Sequence, residues 1–494
     1  MPQKLPNIIL FNPDQFRSDA LAHLGGGGAV TPNLDQVCRT DGMSFSNAFC
    51  QNPVCTPSRC SFMSGWYPHV HGHRTMHYML HENEPVLLKI LKDNGYFVWW
   101  GGKNDLIPGQ NGHEAYCTVY NRTQRKITGH NLHADTGWRG EPDGDNFYSF
   151  YAGKVEPKEG DRYIDGDWAQ VLDAIDLVRT YDGEQPLCIY LPLGYPHPPY
   201  GVEEPYYSMI DRSKVKPPIK PYDNWSDKPS ILHGLWQGQH LQGWSEERLV
   251  ELKATYLGMC ARVDAQYGLL LNALKEADRY DDSAVFFFSD HGDFTGDYGL
   301  VEKTQNTFQD CLTHVPLVIK PPKSSDVKPD ISSALVELVD FPSTVSELTG
   351  IDLGYTNFGQ SLVPLFEGKR TEHKDAVFCE GGRMKDEWHC SEHQSTQLAG
   401  PLGLYMPRIN LQMKDGPEHT KAVMLRTKDY KYVYRVYEKD ELYDLANDPE
   451  ERTNRIEDET LQPVRTMLKE RLLKFFVETS DVVPYQADER DFKR

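Results

Sequence analysis

The stretch Pro53-Val54-Cys55-Thr56-Pro57-Ser58-Arg59-Cys60 concentrates more chemistry than any other in this 494-residue chain. A proline two residues after Cys55, then Ser58 and Arg59, predicts a turn that leads into a helix with Cys55 near its positive end. That end favours anions and lowers a thiol's pKa, so Cys55 reads as a thiolate nucleophile or as a modified residue. Arg59, one helical turn later, argues against a merely buried thiol. Two other stretches offer metal ligands: Asp14-Gln15 after the apolar run 7–11, and Ser289-Asp290-His291-Gly292-Asp293 after the run 284–288. Folding can bring both to one sheet edge, where their donors would hold a divalent cation. Either stretch alone reads equally well as a helix cap or a turn aspartate.

The elements that must position these residues are visible as patterns. Continuous apolar runs at 7–11, 187–191, 284–288 and 315–319 predict buried strands. Segments 84–94 and 246–277 carry apolar residues at helical spacing. Strands alternating with helices predict an α/β fold, a large mixed and mostly parallel sheet with helices on both faces. Segments 109–165 and 196–244, rich in Gly, Pro, His, Tyr and Asp, read as long active-site loops. From Phe378 the texture changes, with short strands at 422–426, 430–434 and 441–443 and a final helix at 461–477. The reading is a catalytic domain over 1–377 and a smaller α+β domain with a short antiparallel sheet over 378–494.

Charge narrows the function. With 52 basic against 72 acidic residues the chain carries a formal −20, which repels nucleic acid and anionic membranes over most of its surface. An anionic substrate then requires a local cationic pocket. The opening Met-Pro-Gln-Lys-Leu-Pro has neither the apolar stretch nor the cleavage site of a secretory signal, and no run of 18 apolar residues occurs, so a soluble cytoplasmic protein is expected. Ten cysteines without a CxxC pair indicate neither a zinc knuckle nor a disulfide framework.

Taken together, Cys55-Thr56-Pro57-Ser58-Arg59, the two aspartate stretches and Glu441-Leu442-Tyr443-Asp444-Leu445 make the chain resemble the type I sulfatases of the alkaline phosphatase superfamily. In that family Cys-x-Pro-Ser-Arg directs a formylglycine-generating enzyme to oxidise the cysteine to formylglycine (3-oxoalanine). The Thr-Gly-Arg that usually follows is Ser64-Gly65-Trp66 here. The resemblance implies metal ligands at Asp14, Cys55 as formylglycine, Asp290 and His291. Its Asp-Gln and Asp-His pairs resemble those of choline sulfatases and phosphonate monoester hydrolases. It implies one divalent cation, calcium first with manganese or magnesium as alternatives, the imidazole shifting preference towards manganese. Lys103 matches the lysine of Gly-Lys-x-His-Leu, but Asp105 replaces the histidine, which leaves the base of the second step open. Lys303 matches a sulfate-binding lysine and His197 a histidine at the leaving oxygen. Alone, either lysine would read as a solvated surface residue.

The implied reaction is hydrolysis of a sulfate ester of an aryl, carbohydrate or small alcohol group. The formylglycine hydrate attacks sulfur, a cationic His197 protonates the leaving alcohol, and Arg59, Lys103, Lys303 and the metal surround the sulfuryl oxygens. The same site would serve a phosphonate monoester or phosphodiester hydrolase. A metal-binding scaffold without catalysis would have lost Cys55, Arg59, Lys103 or Asp290, and all four are present. His69, His71, His73 and His77 read as a pocket wall, one of them standing in for the missing base. Trp99, Trp100, Trp138, Trp225, Trp236 and Trp244 stack on a substrate ring or pack the loop bases, with packing favoured. The tail 481–494 reads either as a clasp on a neighbouring copy in a homo-oligomer or as a frayed end.

Overall fold

A computed structural model describes residues 4–394, 400–485, 487 and 490. Residues 1–3, residues 395–399 and part of the 481–494 tail (486, 488–489, 491–494) lie outside the described residues. The apolar run at the start forms the strand Asn7–Asn12, flanked in parallel by Leu187–Pro192 and Ser283–Phe288. These three are the centre of an eight-stranded sheet. Phe97–Gly101 and Val119–Asn121 extend it in parallel on one side, and Leu317–Lys320, Met43–Phe45 and Asp330–Ser332 on the other. Successive side chains point to opposite faces. Ile8, Leu10, Phe286 and Phe288 pack with Phe62, Leu88, Leu91 and Phe341 on one face. Ile9, Phe11, Val285 and Phe287 pack on the other with the helices Gly166–Thr180 and Glu246–Glu276. Burial on both faces explains why the strands are uniformly apolar rather than alternating.

Two expected elements differ. The run 315–319 is two strands, because Pro316 has no N–H for a ladder: His314–Val315 joins a small sheet with Ala48–Phe49 and Val336–Glu337, while Leu317–Lys320 runs antiparallel to Ser283–Phe288. The helix expected over 84–94 spans only Leu87–Asp93, since Pro85 interrupts it and Glu84 is drawn into a histidine cluster.

The C-terminal part contains a four-stranded antiparallel sheet of Val377–Gly381, Ala422–Arg426, Tyr430–Arg435 and Glu441–Asp444, covered by the helix Gln462–Thr479. Phe475 of that helix stacks on Phe378 with ring centroids 3.8 Å apart. The sheet grips the loop after Lys303: Lys431 Nζ donates to the carbonyl of Phe308 (2.7 Å) and Arg435 Nη1 to that of Asn306 (2.9 Å). A Cβ at Gly381 would stand 1.7 Å from the carbonyl oxygen of Gln305, so only glycine allows this approach. Among the described residues no helix is long and apolar enough to cross a membrane.

Candidate active site

Four parallel strands of the sheet deliver residues to one edge. Asp14 lies two residues beyond Asn12, Asp290 two beyond Phe288, Lys103 two beyond Gly101, and His197 in the loop after Pro192. In open α/β sheets this carboxyl edge is the ligand edge. Cys55 enters from below the cleft as the first residue of the helix Cys55–Ser64. One ligand atom each from Asp14, Cys55, Asp290 and His291 lies within 4.8 Å of all the others.

The chemistry of this donor set fits a divalent cation. All four residues are at most 1% exposed. His291 Nδ1–H donates to the carbonyl of Gly292 (2.9 Å), which turns the Nε2 lone pair into the cluster, 3.3 Å from Cys55 Sγ and 3.6 Å from Asp14 Oδ1. Burial, and then Lys303, hold the imidazole below its ordinary pKa and therefore neutral, as a ligand must be. The cations Lys103 and Arg59 overcome burial at Asp14 and hold its carboxyl well below the usual range. Gly292 is fixed by close packing, since a Cβ there would stand 2.0 Å from the Cys311 carbonyl oxygen.

Arg59 does not surround a substrate as the motif suggested. It lies beneath the floor, fully buried, with Nε donating to Asp290 Oδ2 (2.9 Å), Nη2 to Asp14 Oδ2 (3.0 Å) and Nη1 to the Tyr190 hydroxyl (3.3 Å). It is a brace between two buried carboxylates. The expected lowering of the Cys55 thiol is also reversed: burial, and then Asp14, push it up strongly against the opposing charges of Lys103 and Lys303.

The two lysines differ in how they are held. Lys103 Nζ is shared between Asp14 Oδ2 and Asp105 Oδ2, both at 2.7 Å, and stands 3.6 Å from Cys55 Sγ. Asp105 therefore anchors Lys103 where the family pattern has histidine. Lys303 Nζ donates to Gln15 Oε1 (2.6 Å) and pairs with Glu302 Oε1 (2.9 Å). Both partners have left-handed backbone, φ 68° at Gln15 and 67° at Glu302, a conformation that costs about 1–3 kcal/mol at a non-glycine residue. One ammonium N–H of Lys303 is thus hydrogen-bonded to Gln15, while its charge is shared with Glu302. Gln15 does not join the metal cluster; its amide bridges Lys303 to Asp293.

Above this floor opens a cavity of about 810 Å³ lined by Cys55, Lys103, Asp105, His197 and Lys303. His197 Nδ1–H donates to the carbonyl of Pro198. Burial and Lys303 hold its pKa well below the ordinary value, so the imidazole is neutral rather than the expected cation. Its loop is tethered by Asp167, which accepts N–H bonds from Gly194 (2.9 Å) and Tyr195 (2.7 Å). Of the four clustered histidines only His77 lines the cavity. His71 and His73 clamp Glu84 at 2.8 and 2.9 Å, and His69 binds Glu380 at 2.7 Å. Each of those three found a carboxylate, which local density in sequence does not reveal. None of the six tryptophans lines this cavity; Trp99, Trp100 and Trp244 are buried, and Trp225 and Trp236 pack beside Tyr222.

Sequence reasoning missed the far walls. His133, whose ring centroid lies 5.7 Å from that of His197, comes from the 109–165 loop. Glu392, Tyr405 and Arg408 come from the C-terminal part. The local signal at Arg408 was slight: one charge within the otherwise apolar Met406-Pro407-Arg408-Ile409.

The chain is similar to known proteins over most of its length. A family model described as Sulfatase matches residues 6–351. The chain is 24% identical over 472 residues to Arylsulfatase K of Homo sapiens, covering 91% of this chain and 79% of that protein. It is 26% identical over 419 residues to an arylsulfatase of Clostridium perfringens, covering 78% and 83%. Its fold is shared with the phosphonate monoester hydrolase of Agrobacterium radiobacter, at TM-score 0.73 and 22% identity over 98% of this chain and 100% of that one.

Proposed function

The chain belongs to the sulfatase family and is a sulfuric ester hydrolase, and from that premise we propose that it cleaves its ester with residue 55, converted to formylglycine, beside one divalent cation. The observation that carries this reading is the convergence of Asp14, Cys55, Asp290 and His291 on one point at the carboxyl edge of the sheet. Asp14, Asp290 and His291 would hold the cation, calcium to be tested first and manganese second. When bound, the cation polarises a sulfuryl oxygen and favours the ionised nucleophile. Formylglycine, hydrated by one water to the geminal diol, would supply two hydroxyls on one carbon, one for attack and one for release.

The remaining work falls to this chain's own side chains. Lys303 offers its unspent N–H to a sulfuryl oxygen, and Lys103 holds positive charge beside the nucleophile. Arg59 braces Asp14 against Asp290 so that the ligands keep their spacing without substrate. His197, neutral and tied at Nδ1, has Nε2 available to take a proton and return it to the leaving oxygen. Asp105 is occupied with Lys103, so His197 is also our candidate for the base of the second step.

The test pairs mass analysis of the Cys55 peptide with metal analysis of the same preparation and with rates on aryl sulfate, phenyl phosphonate and a phosphodiester. We expect a mass about 18 Da below the thiol form, near-stoichiometric metal and the highest kcat/KM on the sulfate. An unmodified thiol in fully active protein overturns the nucleophile. Faster turnover of phenyl phosphonate overturns the substrate class.

A further inference from the structure

We propose that Arg408, on the helix Met406–Gln412, is a positioning residue for anion binding: it shares the carboxylate of Glu302 with Lys303 and so keeps that lysine's charge available to the substrate. The inference rests on reading the cavity as a sulfate-ester site. Arg408 Nη1 binds Glu302 Oε2 and the Lys303 carbonyl (3.2 Å), while Nη2 donates to Glu392 Oε2 (3.0 Å). Glu302 Oε1 stands 2.9 Å from Lys303 Nζ. One carboxylate therefore spans two cations, and one guanidinium spans two carboxylates.

All four groups line the same cavity and all four are buried. Two positive and two negative charges balance there. Removing Arg408 would leave two carboxylates facing an anionic ester with Lys303 as the single cation of the four, and Glu302 would pair wholly with it. The geometry is built rather than incidental. The left-handed backbone at Glu302 is held by its N–H bond to the Tyr200 hydroxyl (3.0 Å) and by its carbonyl accepting from Phe294 (3.0 Å). An arginine suits the position because its planar fork reaches two carboxylates and a carbonyl at once, which an ammonium on a flexible stem does not do. The C-terminal part thus does more than close the cavity. It sets the charge of a lysine that lies more than a hundred residues earlier in the sequence.

The experiment uses the full-length protein as wild type, Arg408→Met, Arg408→Lys and the double variant Arg408→Met with Glu302→Gln. It measures steady-state kinetics on an aryl sulfate and competitive inhibition by inorganic sulfate, with melting temperature as a check on folding. For Arg408→Met, KM and the sulfate inhibition constant should both rise about tenfold or more, the scale of one added unit charge several ångströms away, with kcat within about threefold. The double variant should recover most of the sulfate affinity because the uncompensated carboxylate is gone. Arg408→Lys should fall between wild type and Arg408→Met, and if Arg408→Met does not fold, a KM rise without kcat loss in Arg408→Lys carries the test. Unchanged sulfate inhibition in folded Arg408→Met, no recovery in the double variant, or an unaltered KM in Arg408→Lys overturns the proposal. A wild type that hydrolyses no sulfate ester strikes the functional reading instead; a working sulfatase indifferent to Arg408 strikes this inference alone.

Discussion

The floor and the walls of the cleft are built by different means. The floor, with Asp14, Cys55, Arg59, Asp290 and His291, hangs from strand ends and a helix start and is essentially closed to solvent. The walls, with His133, the 194–197 loop, Glu392, Tyr405 and Arg408, come from long loops and from a short helix of the C-terminal part. A floor carried on strand ends and a helix start suits the proposed nucleophile and ligands, whose spacing must be held; walls carried largely on loops suit contact with the organic group. Damage to the floor should therefore abolish chemistry, and damage to the walls should redistribute it.

The largest effect tests the floor at its centre. Cys55→Ala should lower turnover by more than about 10⁴-fold, roughly 5.5 kcal/mol of barrier, with the melting temperature changed by only a few degrees. Residual activity in a preparation shown by mass to be free of wild type would break the division. Next comes Arg59→Met, which strips two buried carboxylates of their shared partner. Here activity should fall at least about a hundredfold and stability by about 3–5 kcal/mol, read by urea unfolding, a double loss that Cys55→Ala lacks. An Arg59→Met protein of normal stability would mean that the brace is dispensable.

At the wall, His197→Asn should cost about 10²-fold in kcat on esters with basic leaving alcohols and much less on nitrophenyl sulfate, whose leaving group needs no proton. A loss independent of the leaving group would show that His197 moves no proton. The smallest effect is on stability in acid. His419 is buried and hydrogen-bonded through Nε2 to Gln305 Oε1 (2.8 Å), and burial together with Arg383 and Arg408 holds its pKa down at about 3. Below the unfolded pKa near 6.5 the unfolded chain binds a proton that the folded chain refuses, so stability falls as pH falls. At pH 5 that single group costs about 2 kcal/mol, and His419→Gln should shrink the loss measured between pH 7 and pH 5 by about that amount. An unchanged pH slope would place the acid-sensitive group elsewhere.

The floor was legible because each of its parts is a local pattern. Asp14 and Asp290 each follow a continuous apolar strand, and Cys55-Thr56-Pro57-Ser58-Arg59 carries its own turn chemistry. The direction of Arg59 was not legible: spacing places it one turn from Cys55 but does not say that two carboxylates wait beneath. The walls were illegible for a different reason. Arg408 reaches Glu302, 106 positions earlier, only through long-range folding, and no period or motif couples positions so far apart. His71 and His73 mislead for the converse reason, since adjacency in sequence suggested a shared site while Glu84 had claimed both rings.

The approach of Gly381 to the Gln305 carbonyl has a consequence for how the molecule comes apart. The loop carrying Lys303 is clamped through Asn306 and Phe308 by strands made more than a hundred residues later. Contacts thus run across the expected boundary near Phe378. A protease cut there would leave a fragment in which the loop carrying Lys303 has lost its mooring, and heat should melt both parts in one cooperative transition, the C-terminal sheet serving as the keystone of the arch.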